Sequence, residues 1–384
     1  MNRHFVLTLL SQASVGGLFL NLAPVTSELV QALGATYADM GLVTTLFVLG
    51  QVAASVPAGY LSDRFGVKRI YVAANVGVLT VTLLLALAQN MQQIFFLRFF
   101  LGLMMGTQFV VGSSYLAFWS PPRRSTLFQG IYGGAFNFGI ALAFFLAAPQ
   151  AALLGWRGVY LVPGIACLIS TTALAIFGKE PAKRANIRVI SLTQLRSLRV
   201  SALSLLGVAM SAAWGTFVVL GTWLTEYLIV EKMGAFWQSA MLTGINVAGG
   251  GIGRILGGVV TRPDKESQAI LWYYGVAIAT IGVLLLPVPF PAILIMAFLA
   301  VTLTSMGFAP SIRLSAQVGG SNMQGTAVGF VLALGMLISS SLPALFGWLV
   351  QLSGSFTLGL LVLLATPAIG LLAIWRFLLH SPSD

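Results

Sequence analysis

The stretch GYLSDRFGVKR, residues 59–69, crowds Asp63, Arg64, Lys68 and Arg69 between two runs with no formal charge, MGLVTTLFVLGQVAASVPA (40–58) and IYVAANVGVLTVTLLLALA (70–88). Each run has close to the ~20 apolar residues that a helix needs to cross a bilayer core. The charged stretch therefore reads as a loop at the membrane surface. The rest of the chain agrees: of 384 residues, 58% are hydrophobic and 8% charged, with mean hydropathy +0.95. Soluble domains carry about 25% charged residues. Inside a bilayer only helices or closed barrels satisfy the backbone. Barrel strands read as alternating segments of roughly ten residues, whereas LGLLVLLATPAIGLLAIW (358–375) is apolar on every face. The fold class is an all-α membrane protein.

Apolar windows bounded by charge, Gly or Pro predict twelve spans, at 6–31, 37–59, 70–89, 93–117, 125–148, 157–178, 200–228, 236–260, 268–287, 291–311, 324–349 and 355–378. The N-terminal run has no convincing small-residue cleavage site and is read as an uncleaved first span. With the N-terminus inside, the inner loops and tails collect sixteen of the twenty basic residues. That bias predicts cytoplasmic termini in a plasma-membrane protein. It also explains the net charge of +11 without nucleic acid, because the charges follow the loops and face lipid headgroups. The single cysteine, Cys167, lies in an apolar run, and His4 and His380 sit at the chain ends, where they read as solvated tail residues. No metal site, cofactor or enzyme chemistry is expected, and a monomer is.

The longest polar segment, KEPAKRANIRVISLTQLRSLR (179–199), separates a first half, 1–178, from a second, 200–384. FQGIYGG at 128 and MQGTAVG at 323 match at an offset of 195, and Gly59 and Gly258 match at 199. Two duplicated six-span halves follow.

With that frame, GYLSDRFGVKR resembles the loop signature of the major facilitator superfamily, G-x-L-x-D-R-x-G-x-[KR]-[KR], in its place between spans two and three. The resemblance covers the whole chain. It implies a secondary transporter of twelve helices in two pseudo-symmetric halves, working by rocker-switch alternating access on a small-molecule substrate. Gly59, Asp63, Arg64, Gly66 and Arg69 are its gating residues. Gly66 is expected to make the tight turn and the basic residues to hold the loop at the cytoplasmic face. In the family the acid, here Asp63, meets the cytoplasmic end of span eleven. That end reads SNMQ, and Ser321 with Gln324 is spaced as a capping box, which predicts a helix N-terminus at 321. The matching loop of the second half, GGVVTRPDKES (257–267), has Arg262 where the first has Asp63, so that copy of the latch is lost or inverted.

An ionisable group at mid-bilayer costs about 2.5–3.5 kcal/mol on insertion scales and faces a partner or an aqueous cavity. Two arginines lie within spans. Arg98, in RFFLGLMMG, resembles the family's span-four R-x-x-x-G, whose arginine faces the central cavity; the alternative is snorkelling to the nearby interface. Arg254, in GGGIGRILGG, resembles the R-x-x-G-G of span eight, which contacts the anionic substrate in the nitrate and nitrite porters and some carboxylate porters. Its first-half counterpart at offset 199 is Ser55, where nitrate porters carry a second arginine, so nitrate is not assigned. The alternative for Arg254 is contact with headgroups. Acids sit near span ends or in loops: Glu28, Asp39, Glu226 and Glu231 all fall near the outer side. A chain with arginines but no carboxylate or histidine at mid-membrane points to an anionic substrate, organic or inorganic. An exporter of drugs or neutral solutes is the alternative, distinguished by indifference to loss of Arg98 and Arg254. Asn21, Asn137, Asn246, Gln129, Tyr132 and Trp214 complete the candidate substrate site: they fall in spans that, by the resemblance, line the family's cavity, and the asparagine amides are hard to satisfy locally.

Overall fold

The computed structural model describes residues 3–120, 125–181 and 200–380, and every regular element among them is helical. Arg123, Arg124 and most of the central loop, 182–199, lie outside the described residues. The helices are α1 (Arg3–Gly16), α2 (Thr26–Leu33), α3 (Tyr37–Phe65), α4 (Val67–Ala86), α5 (Met91–Trp119), α6 (Ser125–Leu154) and α7 (Leu161–Phe177). Then come α8 (Val200–Val230), α9 (Phe236–Val260), α10 (Glu266–Leu284), α11 (Phe290–Met306), α12 (Phe308–Ser340), α13 (Leu342–Ser353) and α14 (Thr357–His380). Nine segments among the described residues are long and apolar enough to cross a membrane, one of them a 50-residue stretch, 128–177, that includes α7 and most of α6. Large apolar side chains such as Leu83, Phe96, Ile169, Trp272 and Leu379 are more than half exposed, as a lipid-facing surface requires.

The predicted spans and the helices agree within a few residues over most of the chain. The first departure is span one. It is broken after Gly16 by an irregular stretch and a short 3-10 turn, Ala23–Val25, before α2 resumes at Thr26. The second is at spans ten and eleven. The predicted loop at 312–323 is helical, and α12 runs unbroken from Phe308 to Ser340. No helix therefore starts at Ser321, and the spacing that resembled a capping box lies inside a helix. Serine and glutamine suit both settings, so the local pattern does not discriminate. The third correction is His4, which is not a solvated tail residue. It is 4% exposed, its Nδ1 lies 2.9 Å from the Tyr115 hydroxyl, and its ring stacks on Trp119 at 4.0 Å.

The described residues fall into two compact units, those within 1–187 together with 222–244, and those within 188–221 together with 245–384. Within the first, α3 crosses α5 through glycines. A Cβ on Gly50 would collide with the Phe99 carbonyl oxygen, and one on Gly102 with that of Phe47. Gly139 of α6 meets the Ala13 carbonyl of α1 in the same way. In the second unit, Gly249, Gly253 and Gly257, one helical turn apart, line the face of α9 against Phe298, Thr302 and Met306 of α11. Small residues let membrane helices approach closely where lipid supplies no hydrophobic drive between them. The contacts repeat at the same interval: Gly50 lies against Phe99, and Gly249, 199 residues later, lies against Phe298, 199 after Phe99. Gly102→Ala is expected to destabilise the protein by about 1–3 kcal/mol, because the obstacle is backbone that a rotamer change cannot move. Thermal denaturation in detergent against the parent checks this.

Candidate functional site

The signature stretch is mostly helical. α3 continues through it to Phe65, Gly66 turns the chain with φ 103°, and α4 begins at Val67. That φ favours glycine. A second constraint was not legible in the sequence. The Glu180 carboxylate accepts from the backbone N–H of Lys68 at 3.1 Å and of Arg69 at 3.3 Å, capping the first turn of α4. A Cβ at Gly66 would stand 3.1 Å from that carboxylate. Lys68 Nζ donates to the Ala175 carbonyl at 2.8 Å, so the loop is bound to the end of α7. Arg64 donates to the Tyr60 hydroxyl at 3.3 Å and lies over the Phe65 ring. Asp63 is exposed and has no ion pair or hydrogen bond among the described residues, and a Cβ on Gly59 would meet nothing within 4 Å.

Arg98 is 2% exposed and does not snorkel. Its Nη1 donates to the carbonyls of Leu18 (3.1 Å) and Phe19 (3.2 Å), and its Nη2 to Asn21 Oδ1 (3.2 Å). The two carbonyls lie in the irregular stretch between α1 and the 3-10 turn, outside any helix that would supply their partners. Asn21 Nδ2 reaches the Val159 carbonyl at 3.4 Å. Arg98 and Asn21 together thus hold the break in the first span. Gln129 exchanges hydrogen bonds with Ser113, accepting from its Oγ and donating to its carbonyl, both at 2.9 Å. Tyr132 donates to the Phe109 carbonyl at 3.1 Å. Asn137 differs: it is 3% exposed, and neither atom of its amide has a partner among the described residues. Gln12 of α1, fully buried, is in the same condition.

The second unit holds a different arrangement around Arg254 on α9. The guanidinium carbon lies 4.6 Å from the centroid of the Trp214 ring, 4.9 Å from Phe308 and 5.4 Å from Phe217. No acid pairs with it: among the described residues the ion pair is Arg313 with Glu266, at 3.1 Å. No hydrogen bond to a described residue takes up its N–H groups either, and the side chain is only partly buried. Cation–π contacts contribute about 0.5–2 kcal/mol each, so three rings offset much of the cost of carrying the charge into the membrane. They leave the guanidinium donors available. Polar atoms without a partner among the described residues lie on α8, α9 and α11: Trp214 Nε1, Thr216 Oγ1, both amide atoms of Asn246, Thr302 Oγ1 and Ser305 Oγ. Asn246, Gly250 and Arg254 recur every four residues along one face of α9. Ser305 Oγ would stand 3.5 Å from a Cβ at Gly250, which places it on that face too.

A partly buried cation with free donors, on a bundle of membrane helices, suits a protein that admits a polar solute rather than one that only packs. The sequence profile of the Major Facilitator Superfamily matches residues 5–343. The chain belongs to the major facilitator superfamily. It is a membrane transporter of a small molecule, and not an enzyme. Among curated proteins it is 25% identical over 373 residues to the probable sulfoacetate transporter SauU of Cupriavidus necator, covering 89% of this chain and 86% of the relative. It is also 25% identical over 382 residues to the nitrite extrusion protein of Bacillus subtilis, covering 98% of this chain and 95% of that one. Among solved structures, a bacterial homologue of the human lysosomal transporter Spinster, in an inward-facing and occupied conformation, has the same fold. The TM-score is 0.79 at 16% identity, over 100% of this chain and 97% of the other.

Proposed function

We propose that this transporter carries a small anion and that Arg254 meets its negative group. The observation that carries this reading is the aromatic cage without an acid. A guanidinium paired to a carboxylate has its donors occupied, whereas this one presents a planar fork that matches a carboxylate, sulfonate or other oxyanion. Trp214 Nε1 and Ser305 Oγ, both without a partner among the described residues, are neutral groups that could finish the shell. Relatives named for sulfoacetate and nitrite support an anion. The nitrate-type pair of arginines is not present, since Ser55 stands at the counterpart position and its hydroxyl donates to the Gln51 carbonyl of its own helix at 2.9 Å. Arg98, with its donors taken by the chain, acts in this reading as a positioning residue for the first span. Asp63, exposed and unpaired, is proposed as the gating acid.

The orientation belongs to the same proposal: a plasma-membrane protein with both termini cytoplasmic, and with the turns at Gly34 and Lys232 outside. The distribution of sixteen of twenty basic residues supports it. Counterflow in proteoliposomes against a panel of carboxylates, sulfonates and inorganic oxyanions tests the substrate class. Uptake of labelled anion driven by an unlabelled member of the panel is expected. Exchange of neutral solutes or cationic drugs with none of the anions would replace the reading with that of a neutral-solute exporter.

A further inference from the structure

His4 stands at the start of α1, before the first span, and its contacts fix the direction of a hydrogen-bond chain. The Tyr115 hydroxyl oxygen of α5 lies 2.9 Å from His4 Nδ1 and 3.2 Å from the backbone nitrogen of Lys179, just past the end of α7. An amide N–H only donates, so the Tyr115 oxygen accepts from Lys179. No other described group accepts the tyrosine's one proton, which therefore goes to His4 Nδ1. An imidazole nitrogen that accepts belongs to a neutral ring. Trp119, one turn after Tyr115 on α5, stacks on that ring at 4.0 Å and helps to shut it away from water.

The far end of this chain carries a second contact. Lys179 is followed by Glu180, whose carboxylate accepts from the Lys68 and Arg69 amides at the first turn of α4. The start of α1 is thus joined, through one hydroxyl and one backbone amide, to the segment that caps the signature loop, all within the first compact unit. The titratable and charged groups around the joint are Arg3 on α1, Tyr115 on α5, Lys179 and Glu180 after α7, and Lys68 and Tyr71 on α4. Glu180 is taken up by the α4 amides, Lys68 Nζ donates to the Ala175 carbonyl at 2.8 Å, and the Tyr71 ring packs on Tyr115 with centroids 5.7 Å apart. Burial first, then the positive charges of Arg3 and Lys179, hold the His4 ring below the ordinary histidine range.

We infer that His4 is a pH sensor of this transporter, a neutral acceptor that ties the start of α1 to residues 178–180 and releases them when it is protonated. A protonated ring carries N–H on both nitrogens, so Nδ1 and the Tyr115 hydroxyl meet donor to donor, and the tyrosine proton loses its acceptor. The sign follows from the depressed value. Folding favours the neutral ring, so the stability it adds is complete above about pH 6.5, the ordinary histidine value, and is lost as pH falls below that. The sensor is independent of the Arg254 site and of the substrate class. Only the name of the side it senses, cytoplasmic, rests on the proposed orientation.

Hydrogen–deuterium exchange on the full-length protein in detergent tests this at the Lys179 amide, in peptides covering 175–181 and corrected for the pH dependence of intrinsic exchange. In the parent, protection is expected to fall about three- to tenfold between about pH 8 and about pH 5, the worth of one hydrogen bond. His4→Phe keeps a ring for Trp119 to stack on and removes the titrating nitrogen, so it should lose this pH dependence. His4→Gln keeps an acceptor that does not titrate, and should hold protection near the parent's alkaline level at both ends of the range. His380→Gln changes the other histidine and should behave as the parent does. Should His4→Phe fail to fold, His4→Gln decides alone. A parent whose Lys179 protection does not change with pH, or a His4→Gln protein that keeps the parent's change, would overturn the sensor.

Discussion

Arg254→Ala is expected to abolish anion counterflow and anion-induced thermal stabilisation, with the fold retained. Truncating one member of a buried charged contact costs about 2–5 kcal/mol of binding, enough to lift most millimolar or micromolar ligands out of a measurable range. The protein itself should tolerate the change. Arg254 makes no hydrogen bond to another described residue, and its loss leaves three aromatic rings that already touch one another, Trp214 with Phe217 and with Phe308, each pair at 6.3 Å between centroids. Arg254→Lys separates binding from mere charge. The ammonium keeps the charge and loses the planar fork, so affinity should fall about ten- to a hundredfold, the worth of a charged hydrogen bond. If Arg254 only reached for headgroups, lysine would serve nearly as well and transport would survive. A ligand that binds the folded state raises apparent stability by mass action, so the shift in midpoint temperature with added anion reads the affinity directly. Parent-like stabilisation by anions in Arg254→Ala would remove the proposed site.

Arg98→Ala is expected to act the opposite way, damaging the fold before the function. Its guanidinium satisfies two backbone carbonyls and one amide oxygen in a buried setting. Each acceptor left bare in this buried setting costs about 1–3 kcal/mol. A loss of about 3–5 kcal/mol, as for breaking other buried charged contacts, should appear as a large fall in midpoint temperature or as failure to accumulate in the membrane. Arg98→Lys should recover only part of it, because one ammonium on a flexible stem cannot span Leu18, Phe19 and Asn21 as the fork does. Any Arg98→Ala protein that survives should still be stabilised by anion. Normal stability with lost anion response would instead return Arg98 to the substrate site.

The contrast between the two arginines is where sequence and structure part. Both stand in apolar spans, and both precede glycines in settings that resemble family motifs, one cavity-facing and one substrate-contacting. What separates them is the neighbourhood. Arg98 falls beside a break in the first span that hydropathy cannot reveal, because the irregular stretch 17–22 is as apolar as the helix before it. Arg254 falls among rings brought from α8 and α12, Trp214 and Phe217 well before it in the chain and Phe308 well after it. The same holds for His4, which in sequence is a tail residue.

The sequence by itself determined the class, the span pattern and the family, because each is written in local or repeated chemistry. Twenty-residue apolar runs can satisfy their backbones only as helices in lipid, and an eleven-residue loop signature sits where the family has it. It also determined which side chains are costly in a membrane. The tertiary structure alone decided what occupies their donors and acceptors. Whether a buried guanidinium or carboxylate is already satisfied depends on carbonyls, hydroxyls and rings from distant helices. No spacing along a single helix encodes those partners.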